Sequence, residues 1–296
     1  MSTPATASSA PARVLLATDL SPRCDRAFDR SVQLARDWQA GLTVLNVLEA
    51  PQEPDQILAW AAEDKAFDPQ QDARRQIGRD LALLDARAEI RLLRSPDPAE
   101  TIRSVAADLA ADLTVTGLAR DEPLGRFLLG SNVERLARSL ERPLLIVRNR
   151  PHGRYRRITV ASDLADESRV VLRTAARWFP ESDLELFHAQ PRLRGLDAPP
   201  QAAELTPAAP ACRQRCEQFV SASGVPRAAL REVVAVEGSL EASLTRYVRR
   251  HAVELVVMGS HESAGFLGAL LGSPLNQLLA WVPADVLVVP AAKERG

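Results

Sequence analysis

The chain repeats itself, and the repeat limits it to folds that can be built twice from one pattern. Val14-Leu15-Leu16-Ala17-Thr18-Asp19-Leu20 lies over Ile158-Thr159-Val160-Ala161-Ser162-Asp163-Leu164 at a shift of 144 residues. Further along, a shift of 142 lays Thr116-Gly117 over Met258-Gly259 and Gly130-Ser131 over Gly272-Ser273. The same shift brings Leu145-Ile146-Val147 over Leu287-Val288-Val289. A period this long is a duplicated domain and not a solenoid repeat. At 296 residues the chain also has room for two domains of ordinary size.

Each copy alternates short apolar runs with amphipathic stretches. In the first half the runs are Val14 to Ala17, Leu42 to Leu48, Ala88 to Leu93, Leu113 to Thr116 and Leu144 to Val147. In the second they are Ile158 to Ala161, Leu184 to Phe187, Leu230 to Val236, Leu255 to Met258 and Val286 to Val289. Nearly unbroken apolar runs are what strands buried on both faces look like. Between them, Arg26 to Trp38 and Pro98 to Leu109 carry apolar residues at helical spacing, with Pro98 suited to a first helical turn. Strand and helix in alternation predict α/β domains with parallel sheets and right-handed crossovers. The expected organisation is a disordered lead-in over 1–12, domains over 13–149 and 157–291, and a linker over 150–156. A mobile loop is expected in the Pro- and Ala-rich stretch from Pro191 to Pro210.

Composition excludes several classes of function. A formal net charge of -1 gives no broad attraction for nucleic acid or an anionic membrane. Three cysteines, Cys24, Cys212 and Cys216, make no secreted disulfide framework. The start of the chain lacks a signal-peptide pattern, and no apolar run is long enough for a membrane helix, so a cytoplasmic location is expected.

In an open parallel sheet, ligands bind beyond the carboxyl ends of the strands where the strand order reverses. Two features fall at such ends. One is the acid after each opening strand, Asp19 and Asp163; the other is the long loop from the fourth strand into the next helix, Gly117 to Ser131 and Gly259 to Ser273. A helix starting at Gly-Ser offers free N–H groups and a positive dipole end to phosphate, although the serine can equally serve as a cap. The acids likewise read either as ligands or as turn formers.

These residues resemble the universal stress protein family, whose nucleotide-binding members carry Gly-x2-Gly-x9-Gly-Ser/Thr in this loop and an Asp after the first strand. The resemblance covers about Arg13 to Pro290, twice over. It implies two tandem Rossmann-like domains, each an open five-stranded parallel sheet of order 3-2-1-4-5 with helices on both faces. It also implies an adenine nucleotide such as ATP, with magnesium as its phosphate partner. Asp19 and Val47 would place the base, with Gly117, Arg120, Gly130 and Ser131 at the phosphates; the weaker second set is Asp163, Ala189, Gly259, Gly272 and Ser273. Arg120 and Glu262 stand where the motif has its second glycine. A guanidinium can pair with phosphate whereas a carboxylate repels it, so the first half is the expected site. Family dimers join through their last strands, so the two halves are expected to pair internally, with a further homodimer open.

The implied role is a regulatory or stress-response protein and not an enzyme. Rival readings are a nucleotide-free interaction scaffold and a slow ATPase using Asp19 or Asp163 as base. Cys212 and Cys216, four apart, share a face if helical and read as core or surface helix residues, a redox pair or metal ligands. His188 and His261 read as polar lining or a weak zinc pair.

Overall fold

The computed structural model describes residues 10–22, 24–49, 68–118, 120–121, 126–127, 131–191, 205–260, 278–279 and 281–290. Most of the lead-in, and Gly130, Glu262, His261, Gly272 and Ser273, lie outside them. The chain divides into two compact units: residues 10–119 with 130–154, and residues 155–296 with the excursion 120–129.

The first unit follows β1 (Arg13–Thr18), α1 (Asp25–Trp38), β2 (Gly41–Glu49), α2 (Pro69–Leu83), β3 (Glu89–Ser95), α3 (Pro98–Asp108), β4 (Leu113–Gly117), α4 (Ser131–Ser139) and β7 (Leu144–Val147). Its strands pair in parallel in the order β3-β2-β1-β4-β7, the order that the resemblance implies. Val14, Leu15, Leu16 and Ala17 are all buried in succession, so both faces of the central strand are covered. Between β4 and α4 stands a small antiparallel hairpin, β5 (Arg120–Asp121) with β6 (Arg126–Phe127), which groups with the second unit.

The second unit repeats the plan with β8 (Arg157–Ala161), α5 (Arg169–Trp178), β9 (Asp183–Gln190), β10 (Thr206–Pro207), α6 (Pro210–Ser223), β11 (Leu230–Glu237), α7 (Leu240–His251), β12 (Leu255–Gly259) and β13 (Asp285–Val289). Here β11-β9-β8-β12-β13 are parallel in the same order. A short antiparallel strand, β10, is added on β11 beside these five parallel strands. Part of the stretch expected as a loop is therefore paired backbone, and Pro210 opens α6; residues 192–204 lie outside the described set. A two-residue edge strand containing Pro207 is what an edge tolerates, since proline has no N–H to give a further neighbour.

The repeat extends to polar clamps at the amino ends of the sheets. Asp112 Oδ2 accepts from the backbone N–H groups of Ala12 and Arg13 at 2.9 and 3.0 Å. Glu254 Oε2 does the same for Arg156 and Arg157 in the second half. Tyr155, expected in a linker, is buried, and its hydroxyl donates to the fully buried Asp285 carboxylate at 2.6 Å. Helix starts are written locally. Asp97 caps α3, accepting from Glu100 N–H at 3.1 Å, with Pro98 in the first turn. The Asp97 carboxylate also receives two hydrogen bonds from Arg135 of α4, at 2.8 and 2.6 Å, and this pairing holds it below the usual carboxylate range.

Candidate functional site

The strand order reverses beside β1, whose neighbours β2 and β4 are reached by crossovers in opposite directions. Register sets which residues meet at the carboxyl end. Thr18 lies beside Asn46, and Ala17 beside Thr116. Asp19 follows the last paired residue of β1, Val47 follows Asn46 on β2, and Gly117 ends β4, so all three belong to this end of the sheet. In the second half Ala161 lies opposite Phe187 and Val257 opposite Val160, so Asp163, Ala189 and Gly259 belong to the matching end of that sheet.

Both strands leave the sheet through the same turn. Thr18 Oγ1 accepts from Leu20 N–H at 3.0 Å, and Ser162 Oγ accepts from Leu164 N–H at 3.0 Å. Asp19 Oδ1 accepts from Ser21 N–H at 2.9 Å and from its hydroxyl at 2.6 Å. Asp163 Oδ1 accepts from Ala165 N–H at 3.0 Å and from the Ser168 hydroxyl at 2.6 Å. Leu20 and Leu164 carry positive φ of 58° and 67°, which these side-chain hydrogen bonds hold in place. The turn-forming reading of the two acids is thus realised.

The two clefts differ in three ways. Val47 is half-buried, whereas Ala189 is fully buried. Asp19 is exposed and Asp163 half-buried. Under the turn, the Asn46 amide donates to Thr18 O at 2.9 Å, and the matching contact in the second half is His188 Nδ1 with Ser162 O at 2.9 Å. That carbonyl requires a donor, which places the imidazole proton on Nδ1. Burial lowers the His188 pKa, with Arg215 also lowering it and the Ser162 carbonyl and Asp163 raising it. The folded state favours neutral His188, so its contribution is complete above the unfolded value of about 6.5 and is lost as pH falls below that. His188→Asn installs the first half's residue and keeps the hydrogen bond. We expect its unfolding midpoint to fall less than wild type's between pH 7 and pH 5; an equal fall in chemical denaturation at both pH values would contradict this role.

Closing the turn after Asp19, the buried Cys24 donates its N–H to Ser21 O at 2.8 Å; burial pushes its thiol up to about 11, so it is protonated at neutral pH. Gln76 of α2 donates to Leu20 O at 3.2 Å, tying that helix to the turn. This helix is a site element that the sequence reading missed; the signal for it was Asp68-Pro69, where Asp68 accepts from Gln70 N–H at 3.0 Å. On the phosphate side, α4 begins at Ser131, and its first N–H groups have no partner within the helix. Arg135 turns to Asp97 and Arg138 to Glu134, at 2.9 Å. Arg120 lies in β5, paired with Phe127, in extended backbone and not the left-handed conformation that would make glycine necessary. Among the described residues no group of three or more His, Cys, Asp or Glu side chains is placed to hold a metal, and no helix is long and apolar enough to cross a membrane.

Residues 12–148 and 154–290 each match the model of the universal stress protein family. The chain belongs to that family. No curated protein matches this universal stress protein. Among solved structures, it is similar to a universal stress protein from Archaeoglobus fulgidus DSM 4304, at 16% identity and a TM-score of 0.66, covering 97% of this chain and 100% of that one. A putative universal stress protein from Pseudomonas aeruginosa UCBPP-PA14 gives 18% identity and a TM-score of 0.65, covering 96% and 95%. These likenesses show the fold. A universal stress protein solved in complex with cAMP is 26% identical over 47% of this chain and 98% of that one, with a TM-score of 0.32.

Proposed function

We propose that this universal stress protein binds an adenine nucleotide such as ATP through its first half and acts in the cytoplasm as a stress-response or regulatory protein. The observation that carries this reading is the open carboxyl end of β1 at the strand-order reversal, where exposed Asp19 follows the strand and half-buried Val47 follows Asn46 on the neighbouring β2. In the second half the matching Ala189 is fully buried, which leaves its backbone unavailable to a base.

The residues of the first half fit the ligand by chemistry. Asp19 accepts donors of the base or ribose, and the Val47 backbone offers amide and carbonyl groups to the base edge. Gly117 allows close approach beside Thr18, while Gly130 and the N-terminus of α4 at Ser131 favour negative phosphate oxygens. Magnesium, when it accompanies the nucleotide, neutralises phosphate charge. Arg120, standing where the family's binders carry glycine, would bring a guanidinium to the phosphate oxygens. The role is binding and not turnover, and single-turnover incubation with labelled ATP should show no Asp19-dependent hydrolysis.

Thermal unfolding with and without magnesium and ATP, ADP or AMP tests the reading. Nucleotide at about 100-fold over Kd adds roughly 2.7 kcal/mol to the folded state and raises the midpoint. Gly130→Asp, which sets a carboxylate against the phosphates, should abolish the shift, and Gly272→Asp should leave it. No shift with any nucleotide at millimolar concentration would overturn the proposal. A nucleotide-free interaction scaffold would then be the better account, and the paired backbone at Arg120, where the family's nucleotide binders carry glycine, favours that alternative.

A further inference from the structure

Helix α6 carries Cys212 and Cys216 on one face, four residues apart, and both side chains are buried and free. Packing does not require sulfur there. The counterpart in the first half is α2, the helix between the second and third strands of its sheet, and it covers its sheet with the stripe Ala73, Ile77 and Leu81. An aliphatic stripe therefore does the same structural job in the other copy.

Helical spacing also decides which chemistry the pair can undergo. Residues four apart on a helix hold their Cβ atoms about 5–6 Å apart. A disulfide needs about 3.5–4.5 Å, so oxidation to an intrahelical bridge would require α6 to unwind locally. A metal between the sulfurs spans the gap without that cost. Bonds near the zinc–thiolate length of about 2.3 Å place two sulfurs up to roughly 4.6 Å apart across the ion. Among the described residues no group of three or more ligands forms here, and of the thiophilic metals it is Cu(I) that is content with two-coordinate, near-linear geometry.

We propose that Cys212 and Cys216 form a two-thiolate site for a soft, thiophilic cation of the Cu(I) type. On binding, both S–H bonds break and two Cu–S bonds form. Two protons pass to solvent, and copper stays in the +1 state. The resulting bis-thiolate unit carries one negative charge, and Arg215 is the nearby cation that offsets it.

The test is an anaerobic titration of the reduced full-length protein with Cu(I) against a chromophoric Cu(I) chelator. One equivalent per chain should be held against the chelator by wild type and by Cys24→Ser. Cys212→Ser and Cys216→Ser should each lose it, with at least a tenfold fall in apparent affinity. Circular dichroism of each variant checks folding, and Cys212→Ala supplies a smaller, apolar replacement should serine unfold the helix. X-ray absorption of copper-loaded wild type gives an independent readout, with two sulfur neighbours expected. Retention of the tight equivalent by either α6 variant, copper bound through one sulfur only, or no competition with the chelator would each overturn the proposal.

Discussion

Leu15→Ala and Leu16→Ala are each expected to lower the unfolding free energy by about 2–5 kcal/mol, the range for leucine truncation in a packed core. Successive residues of a strand point to opposite faces of the sheet. In a sheet packed on one side, one of these neighbours would face water and its truncation would cost little. Both are at 0% exposure in β1, so both should be expensive. Leu93 in the edge strand β3 is 37% exposed, and Leu93→Ala should cost below about 1 kcal/mol. Urea unfolding of the three variants separates the cases. A small cost at either Leu15 or Leu16 would show that one face of the first sheet is uncovered.

That pair of leucines also explains why so much of the fold was legible. A strand covered on both faces needs an unbroken apolar run, and such a run survives any choice of helix packed against it. Val14 to Ala17 and Leu144 to Val147 could therefore be read directly, and the observed strands extend them by a residue or so at most. Amphipathic helices with a wide apolar stripe were legible for the same reason, as at Arg26 to Trp38. Helix α2 was not, because only Ala73, Ile77 and Leu81 are buried among its fifteen residues. Its polar remainder looks like loop, and only the Asp68-Pro69 start gives it away. Strand β10 has no pattern to read, since two residues at an edge have no apolar periodicity.

The site was legible at the level of residue type and spacing, and less so at the level of role. Asp19 and Asp163 look alike in sequence, and the structure builds the same turn from both. What separates the clefts is burial at Val47 and Ala189, and burial depends on chain far from those positions. The sequence reading also gave no role to Glu185, flanked by Leu184 and Leu186. An acid alternating with leucines reads as the wet face of a strand, yet Glu185 is 4% exposed. Its hydrogen-bond donor Tyr247 lies 62 residues further on, beyond the reach of any local pattern.

Tyr247→Phe is accordingly expected to destabilise the protein by about 3 kcal/mol, although it removes a single oxygen. The Tyr247 hydroxyl donates to Glu185 Oε2 at 2.9 Å, and the Thr159 hydroxyl makes a longer contact at 3.4 Å to the same atom. Arg231 Nη1 stands 3.8 Å from the other carboxylate oxygen. Losing the strongest donor leaves a buried acid under-satisfied, and breaking buried charged contacts from one side costs on the order of 3–5 kcal/mol. Ring packing is not the cause, because phenylalanine can still stack on His251, 4.2 Å away, and on Phe187, 5.1 Å away. Glu185→Leu in the Tyr247→Phe background removes the stranded charge and should restore much of the loss, giving a coupling of at least about 1 kcal/mol in a double-mutant cycle. Additive costs would show that the two side chains act independently. The network should also fail at high pH. Burial, followed by the nearby Glu185 charge, raises the Tyr247 pKa, so its contribution is complete below the unfolded tyrosine value of about 10 and is lost as pH rises further. Wild type should therefore lose more stability than Tyr247→Phe between pH 9 and pH 11, which equilibrium unfolding at the two pH values would measure.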